Sequence, residues 1–168
     1  MIIKSIVAFD NNKGIGLLNK LPWKINEDMK KFVKLTKGNG KNAIIMGKNT
    51  WLSLKNKPLA DRFNIIISTT LDRISNNNVS IFNNLEDAII FCKDKFEEVW
   101  VIGGEKIYNE FLNRNLIDEL YITEINKNYK CDTFFPEINY NKYKLISYNI
   151  INDKDNIPFL YNKIYIKI

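Results

Sequence analysis

Two apolar runs, each ending in glycine, constrain this chain more than any other feature. They are Ala43-Ile44-Ile45-Met46-Gly47 and Val99-Trp100-Val101-Ile102-Gly103-Gly104. A strand with one wet face alternates apolar and polar residues, whereas a strand that is apolar throughout must be covered on both faces. Such runs belong at the centre of a parallel sheet with helices above and below. Residues 42–46 and 98–102 hold these two strands, and further strand patterns occupy 2–9, 62–68, 79–82 and 119–125. Helical spacing predicts helices over 27–37, 51–55, 85–95 and 106–113. Strands alternate with helices through Ile102, which implies βα units. The pattern then changes. Residues 143–151 and 159–168 are long strand patterns joined by a polar loop over 152–156, an antiparallel hairpin at the sheet edge. The expected fold class is α/β: one three-layer domain over 1–168, with a mixed, mostly parallel sheet of about eight strands, four flanking helices and a C-terminal antiparallel hairpin.

Composition narrows the chemistry. There is no histidine. This excludes Ser-His-Asp and Cys-His nucleophiles, histidine metal ligands and proton transfer by imidazole. The net charge is +6, but the lysines are dispersed and no helix-turn-helix or RNP-like motif accompanies them. The charge reads as solvated surface, and no nucleic-acid partner is expected. Cys92 and Cys131 form no CxxC and are too few for a structural zinc site, so reduced thiols and no bound metal are expected. No leader pattern and no apolar run of roughly 18 residues is seen, which predicts a soluble, cytoplasmic protein without a membrane partner.

Both glycine-terminated strands lead into helices. A helix start offers free N–H groups and partial positive charge, which suit phosphate, although a plain turn explains either glycine alone. Neither turn has P-loop or GxGxxG spacing. Upstream, Asn26 reads as a helix cap before Glu27 and Asp28. Phe32 and Leu35 lie on the same helix side as Asp28, while Glu27 and Lys31 are expected to point away. Asp28 therefore sits at the margin of the buried stripe, where burial would raise its pKa and the helix start would lower it. Leu21-Pro22-Trp23 precedes this helix, either as a hydrophobic staple or as an indole N–H that orients a water near the carboxylate. The glycine-bearing loop Gly14-Ile15-Gly16, continuing through Asn19, could form a lid.

Together these pieces resemble dihydrofolate reductase. The family's N-terminal signature is filled by Gly14-Ile15-Gly16, Leu21-Pro22-Trp23, Asp28, Phe32 and Thr36. Further matches follow in order: Met46-Gly47-Lys48-Asn49-Thr50-Trp51, Pro58-Leu59, Arg62, Val101-Ile102-Gly103-Gly104, Ile107-Tyr108, Tyr121-Ile122-Thr123 and Asp132-Thr133-Phe134-Phe135-Pro136. The resemblance spans essentially the whole chain. It implies NADPH-dependent reduction of 7,8-dihydrofolate, with hydride passing to pterin C6 and a proton to N5. Asp28 would accept from the pterin 2-amino and N3–H groups, Thr123 would support that carboxylate, Trp23 would hold a water, and Leu21 would pack near the nicotinamide. Phe32, Leu54 and Ile102 would enclose the substrate rings. Ile6, Ala8 and Tyr108 would line the inner pocket, and Arg62 would pair with the glutamate α-carboxylate.

On the cofactor side the resemblance implies Ala8, Ile15, Gly16 and Asn19 around the nicotinamide. Gly47, Lys48, Asn49 and Thr50, with Gly103, Gly104, Glu105 and Lys106, would hold the pyrophosphate through a cis Gly-Gly bond. Ile102, Ile107 and Tyr108 would line the same cleft, and Ser68, Thr69 and Thr70 would meet the 2′-phosphate. The implied partners are dihydrofolate and antifolate inhibitors, and the implied state is a monomer.

Four positions depart from the family pattern. Lys48 and Lys106 keep a charge but lack the arginine fork, Glu105 stands where a third glycine is common, and Val33 replaces a basic residue near the glutamate tail. A pyrimidine reductase of riboflavin synthesis shares the glycine turns but lacks the Pro-Trp…Asp arrangement. A relative retained only for binding would have lost Asp28, Trp23 or the Gly-Gly pair, and all are present.

Overall fold

The two apolar runs become neighbouring central strands. In a computed structural model describing residues 1–152 and 158–168, Ala43–Gly47 (β3) and Glu98–Gly103 (β6) pair in parallel, Ile44 opposite Trp100 and Ile45 opposite Val101. Ala43 through Met46 and Val99 through Val101 are all buried, as strands covered on both faces must be. The other main-sheet strands are β1 (Ile2–Phe9), β4 (Phe63–Ile67), β5 (Val79–Phe82), β7 (Glu119–Ile125), β9 (Tyr143–Ile151) and β10 (Leu160–Lys167). They are ordered β5-β4-β3-β6-β1-β7-β10-β9. Pairing is parallel from β5 to β7 and antiparallel at β7–β10 and β10–β9. The eight-stranded α/β sheet with its terminal hairpin is thus the expected one. Of the predicted hairpin loop, residues 153–156 lie outside the described residues.

Side-chain alternation divides the core into two faces. Ile6, Ile44, Met46, Ile66 and Trp100 point to one face, packed with Trp51 and with Phe32 and Leu35 of helix α1 (Asn26–Lys37). Ile3, Val7, Ile45, Ile65, Val99 and Leu120 point to the other. Their partners come from α3 (Leu85–Lys93) and α4 (Glu105–Asn113), notably Ala88, Cys92, Ile107 and Phe111. Both cysteines are free thiols, and burial pushes the Cys92 thiol up to about 12.

Two local expectations are corrected. The cap of α1 is Ile25, with Asn26 already helical and no side-chain capping bond. Ile25 is buried with Trp23, Ile125 and Leu160, and that burial outweighs the capping preference of asparagine. Helix α2 covers Lys48–Ser53 rather than 51–55, so it starts directly on Gly47.

The predicted lid loop contains a short strand, β2 (Gly14–Gly16), paired with β8 (Thr133–Phe134). Asp10 ties its base: Oδ1 accepts from Gly14 N at 2.8 Å and Asn12 N at 2.9 Å, and Oδ2 accepts from Tyr129 N at 2.8 Å. A Cβ on Gly14 would lie 2.5 Å from Cys131 Sγ and 2.7 Å from its Cβ. Gly14→Ala is therefore expected to destabilise the fold by about 1–3 kcal/mol, the usual range for overpacking. Urea denaturation checks this, and an unchanged midpoint would show that Cys131 yields without strain. Past Gly16 the loop lies at the surface, with Leu18 77% and Leu21 54% exposed, while Leu18 N donates to Asp132 Oδ2 at 3.0 Å.

Candidate functional site

Helix α1 approaches the sheet where β1, β7 and β10 run side by side. Ala8, Thr123 and Asn162 are direct cross-strand neighbours there and share one sheet face. Thr123 is 2% exposed. Asp28, in the first turn of α1, is half-buried above this row. Burial raises its carboxyl above the ordinary range, while a Thr123 hydrogen bond and the Lys31 charge pull it back. Burial is the largest of these three influences. Tyr108 of α4 reaches the same place from beneath. Its hydroxyl donates to Ile6 O at 2.8 Å, and burial followed by the Asp28 charge drives its ionisation upward.

Lys31 is where the sequence reading fails. It was expected to point away, yet it turns inward. Its Nζ donates to Thr123 Oγ1 at 2.9 Å and to Asn162 Oδ1 at 2.7 Å. Burial lowers its pKa, and Asp28 opposes that shift. A lysine stem covers apolar surface and lets the ammonium reach past it, so a helical wheel does not fix where the charge ends. Asn162 was also missed, and pairing of the last strand with 119–125 is the signal that would place it beside Thr123.

The flanks of this carboxylate are apolar. Phe32, Leu54 and Ile102 are partly exposed and pack against the buried Ile6 cluster, forming side walls. Trp23 is buried, its ring 5.1 Å from that of Tyr129, and its indole N–H has no acceptor among the described residues. Leu21 stays exposed at the loop edge, apart from this cluster.

Arg62 lies nearer the far end of α1. It is only 8% exposed, with Nε donating to Ala60 O and Nη1 to Thr36 Oγ1, both at 2.9 Å. The neighbouring Asp61 carboxylate is engaged by Lys37 at 2.7 Å, and Arg62 forms no ion pair among the described residues. Thr36, matched above only as a signature position, is thus the residue that orients the guanidinium.

The glycine-bearing ends of β3 and β6 lie side by side, Met46 opposite Gly103. A Cβ on Gly47 would lie 3.2 Å from Ile107 Cγ1 and 3.9 Å from Gly104 N, and one on Gly104 would lie 3.5 Å from Thr50 Oγ1. Glycine at position 47 avoids crowding Ile107, the 3.5 Å at Gly104 is ordinary contact, and the two glycines form a cradle between Ile107 and Thr50. Gly103 has φ +115°, a conformation that side chains resist, and the Gly103–Gly104 bond is cis, as the resemblance implies. Gly104 caps α4 without a side-chain bond, so its first-turn N–H groups remain available. Glu105 is half-exposed there and Lys106 exposed. At the other side Lys48 Nζ donates to Thr70 Oγ1 at 2.8 Å, while Ser68 Oγ accepts from Thr70 N at 3.2 Å and Leu71 N at 3.1 Å. Lys48, Ser68 and Thr70 are therefore brought together, with Thr69 exposed beside them and Asn49 in the first turn of α2. Ile15 and Gly16 lie in β2, and Asn19 at the exposed loop tip has φ +60°. No cluster of metal-ligating side chains is found among the described residues, and no described helix is long and apolar enough to cross a membrane.

A family model for dihydrofolate reductase matches residues 2–165. The viral dihydrofolate reductase of Saimiriine herpesvirus 2 (strain 488) is 38% identical over 157 residues, covering 87% of this chain and 74% of that protein. Dihydrofolate reductase of Sus scrofa is 38% identical over 157 residues, 86% and 84% of the two chains. That of Heliothis virescens is 35% identical over 164 residues, 91% and 85%.

Proposed function

Because the chain belongs to the dihydrofolate reductase family of oxidoreductases, we propose that it reduces 7,8-dihydrofolate to 5,6,7,8-tetrahydrofolate with NADPH. The observation that carries this reading is the pairing of one half-buried carboxylate, Asp28, with apolar walls and a separate buried guanidinium, Arg62. A flat heterocycle with an anionic tail meets each of these in turn. Asp28 accepts from the pterin 2-amino and N3–H groups as a charge-assisted fork. Thr123 supports the carboxylate, and Tyr108 and Ile6 close the inner end. Phe32, Leu54 and Ile102 hold the rings, and Arg62 takes the tail carboxylate. Trp23 offers its unpartnered indole N–H to a water on the proton path to N5.

The cradle of Gly47 and Gly104, the uncapped start of α4 and the Lys48–Thr70 pair fit a pyridine dinucleotide phosphate. When bound, NADPH supplies the hydride from nicotinamide C4 that reaches pterin C6. The chain's share is placement: Ala8, Ile15, Gly16 and Asn19 border the ring, and Leu21 on the exposed loop covers it, excluding water. Glu105, half-exposed in the first turn of α4, would have to direct its charge away from the pyrophosphate, with Lys106 at the cleft mouth. Antifolate heterocycles compete at the Asp28 site. The protein acts as a single-domain monomer, and its free thiols suit the reducing cytoplasm.

A spectrophotometric assay tests this reading. Loss of reduced-nicotinamide absorbance is expected only when dihydrofolate is present, with NADPH preferred over NADH. Consumption without dihydrofolate, or none with it, would sink the reading. The rate is also expected to fall at alkaline pH, where the single proton required at N5 becomes scarce. A flat profile with hydride transfer still limiting would remove Trp23 and its water from the proton path.

A further inference from the structure

Lys31 joins three elements around the reacting carboxylate. Its Nζ sits on α1, one turn from Asp28, and donates to Thr123 Oγ1 on β7 and Asn162 Oδ1 on β10. Thr123 has one hydroxyl proton. It is directed at Asn162 Oδ1 at 2.9 Å, with Asp28 as the competing acceptor. Because the ammonium donates to Thr123 Oγ1, the hydroxyl must turn its own proton away from Lys31, toward Asn162 Oδ1 or toward the Asp28 carboxylate. The same ammonium is an opposite charge that acts on Asp28 from one helical turn away.

We propose that Lys31 is a positioning residue for the Asp28 site: by donating to Thr123 Oγ1 it leaves the hydroxyl proton to be shared between Asn162 and the carboxylate, and it holds a positive charge on that side of Asp28.

The inference rests on the proposed role of Asp28 in binding the substrate ring. Its consequence is that Asp28 stays ionised, and so able to receive the pterin fork, further into the acid range than its burial alone would permit. Among the described residues no other charged group is placed to do this. Tyr108, facing Asp28 from α4, is held neutral by burial. On β7 and β10, Glu124 and Lys163 point to the opposite sheet face and bind each other at 2.8 Å. Farther along the near face, Lys4 is taken up by Glu98 at 2.7 Å and Glu119 at 3.4 Å. Glu27 and Lys30, on the exposed side of α1, pair at 3.5 Å.

The test compares the intact wild-type chain with Lys31→Met, Lys31→Gln and Lys31→Arg. The readouts are kcat/KM for dihydrofolate against pH, KM for NADPH, and the carbon NMR titration of the Asp28 carboxyl, assigned by its loss in Asp28→Asn. In Lys31→Met and Lys31→Gln the acid limb is expected to move up by about one pH unit, so kcat/KM drops about tenfold on that side. Lys31→Arg restores most of it, and KM for NADPH does not move. The carboxyl titration moves by the same amount in the free protein. An active wild type whose acid limb and carboxyl titration are the same in all variants overturns the proposal and leaves the reductase reading intact. A wild type that does not reduce dihydrofolate overturns the reductase reading, while the NMR titration still decides whether Lys31 acts on Asp28. A lower folded fraction with no shift in either titration assigns Lys31 a structural role and also overturns it.

Discussion

Asp28→Asn is expected to lower kcat/KM for dihydrofolate by about 10²- to 10⁴-fold while NADPH affinity is unchanged. The amide keeps the shape of the carboxylate but replaces one acceptor oxygen with a donor. It therefore confronts the pterin 2-amino or N3–H group with a second donor and removes the charge from both hydrogen bonds. The cofactor cradle lies on other elements, the ends of β3 and β6, so cofactor binding is a fair internal control. The same substitution is expected to stabilise the free protein at neutral pH. Burial raises the folded-state pKa of Asp28, so the native state binds this proton more tightly than the unfolded chain. That contribution is complete below the ordinary carboxylate pKa and is lost as pH rises through the raised value. Above it, the native state holds an unfavourable charge that asparagine lacks. Thermal melts across pH check the sign: the variant should gain most at neutral pH and little in acid. Near-normal turnover in the variant would remove Asp28 from the mechanism, and a lower neutral melting temperature would mean that its pairing outweighs its burial.

Arg62→Lys is expected to raise KM for dihydrofolate about 10- to 100-fold and to leave a dihydropterin without the glutamate tail unaffected. A charge-assisted hydrogen bond contributes about 1.5–3 kcal/mol, which sets that range. Ala60 O and Thr36 Oγ1 each take one Arg62 donor, which fixes the guanidinium plane and leaves its other N–H groups for a planar anion. Lysine keeps the charge without the fork. Val33, on the exposed side of α1, supplies no second cation. Equal effects on the tailed and tail-less substrates would show that Arg62 acts through the fold and does not grip the tail.

The legibility of the site followed the range of the interactions involved. The apolar runs before Gly47 and Gly103 declared buried parallel strands, because side-chain alternation is a local property and its absence has one structural solution. Asp28, Phe32 and Leu35 could be placed on one helix side because they are spaced by one and two turns. The start of α2 was misjudged by three residues. Its N-terminal residues carry no capping side chain, and Gly47 serves only by its backbone. The β2–β8 pair was missed because each strand is very short and its partner is far along the chain. The Asn26 cap failed when a buried Ile25 offered the chain more than one hydrogen bond could.

The sequence by itself determined the order of the elements, the coverage of the central sheet and the residues able to carry chemistry. These follow from backbone sterics and hydrophobic periodicity, which act over a few residues. Only the tertiary structure decided which charges meet. Lys31 finds acceptors 92 and 131 positions away, and Arg62 finds Thr36 26 positions away. Those meetings depend on strand register and on long side chains whose many rotamers are chosen by the available partners. A flexible ammonium is drawn to whatever acceptors the assembled sheet presents, so its direction exists only once β7 and β10 lie side by side.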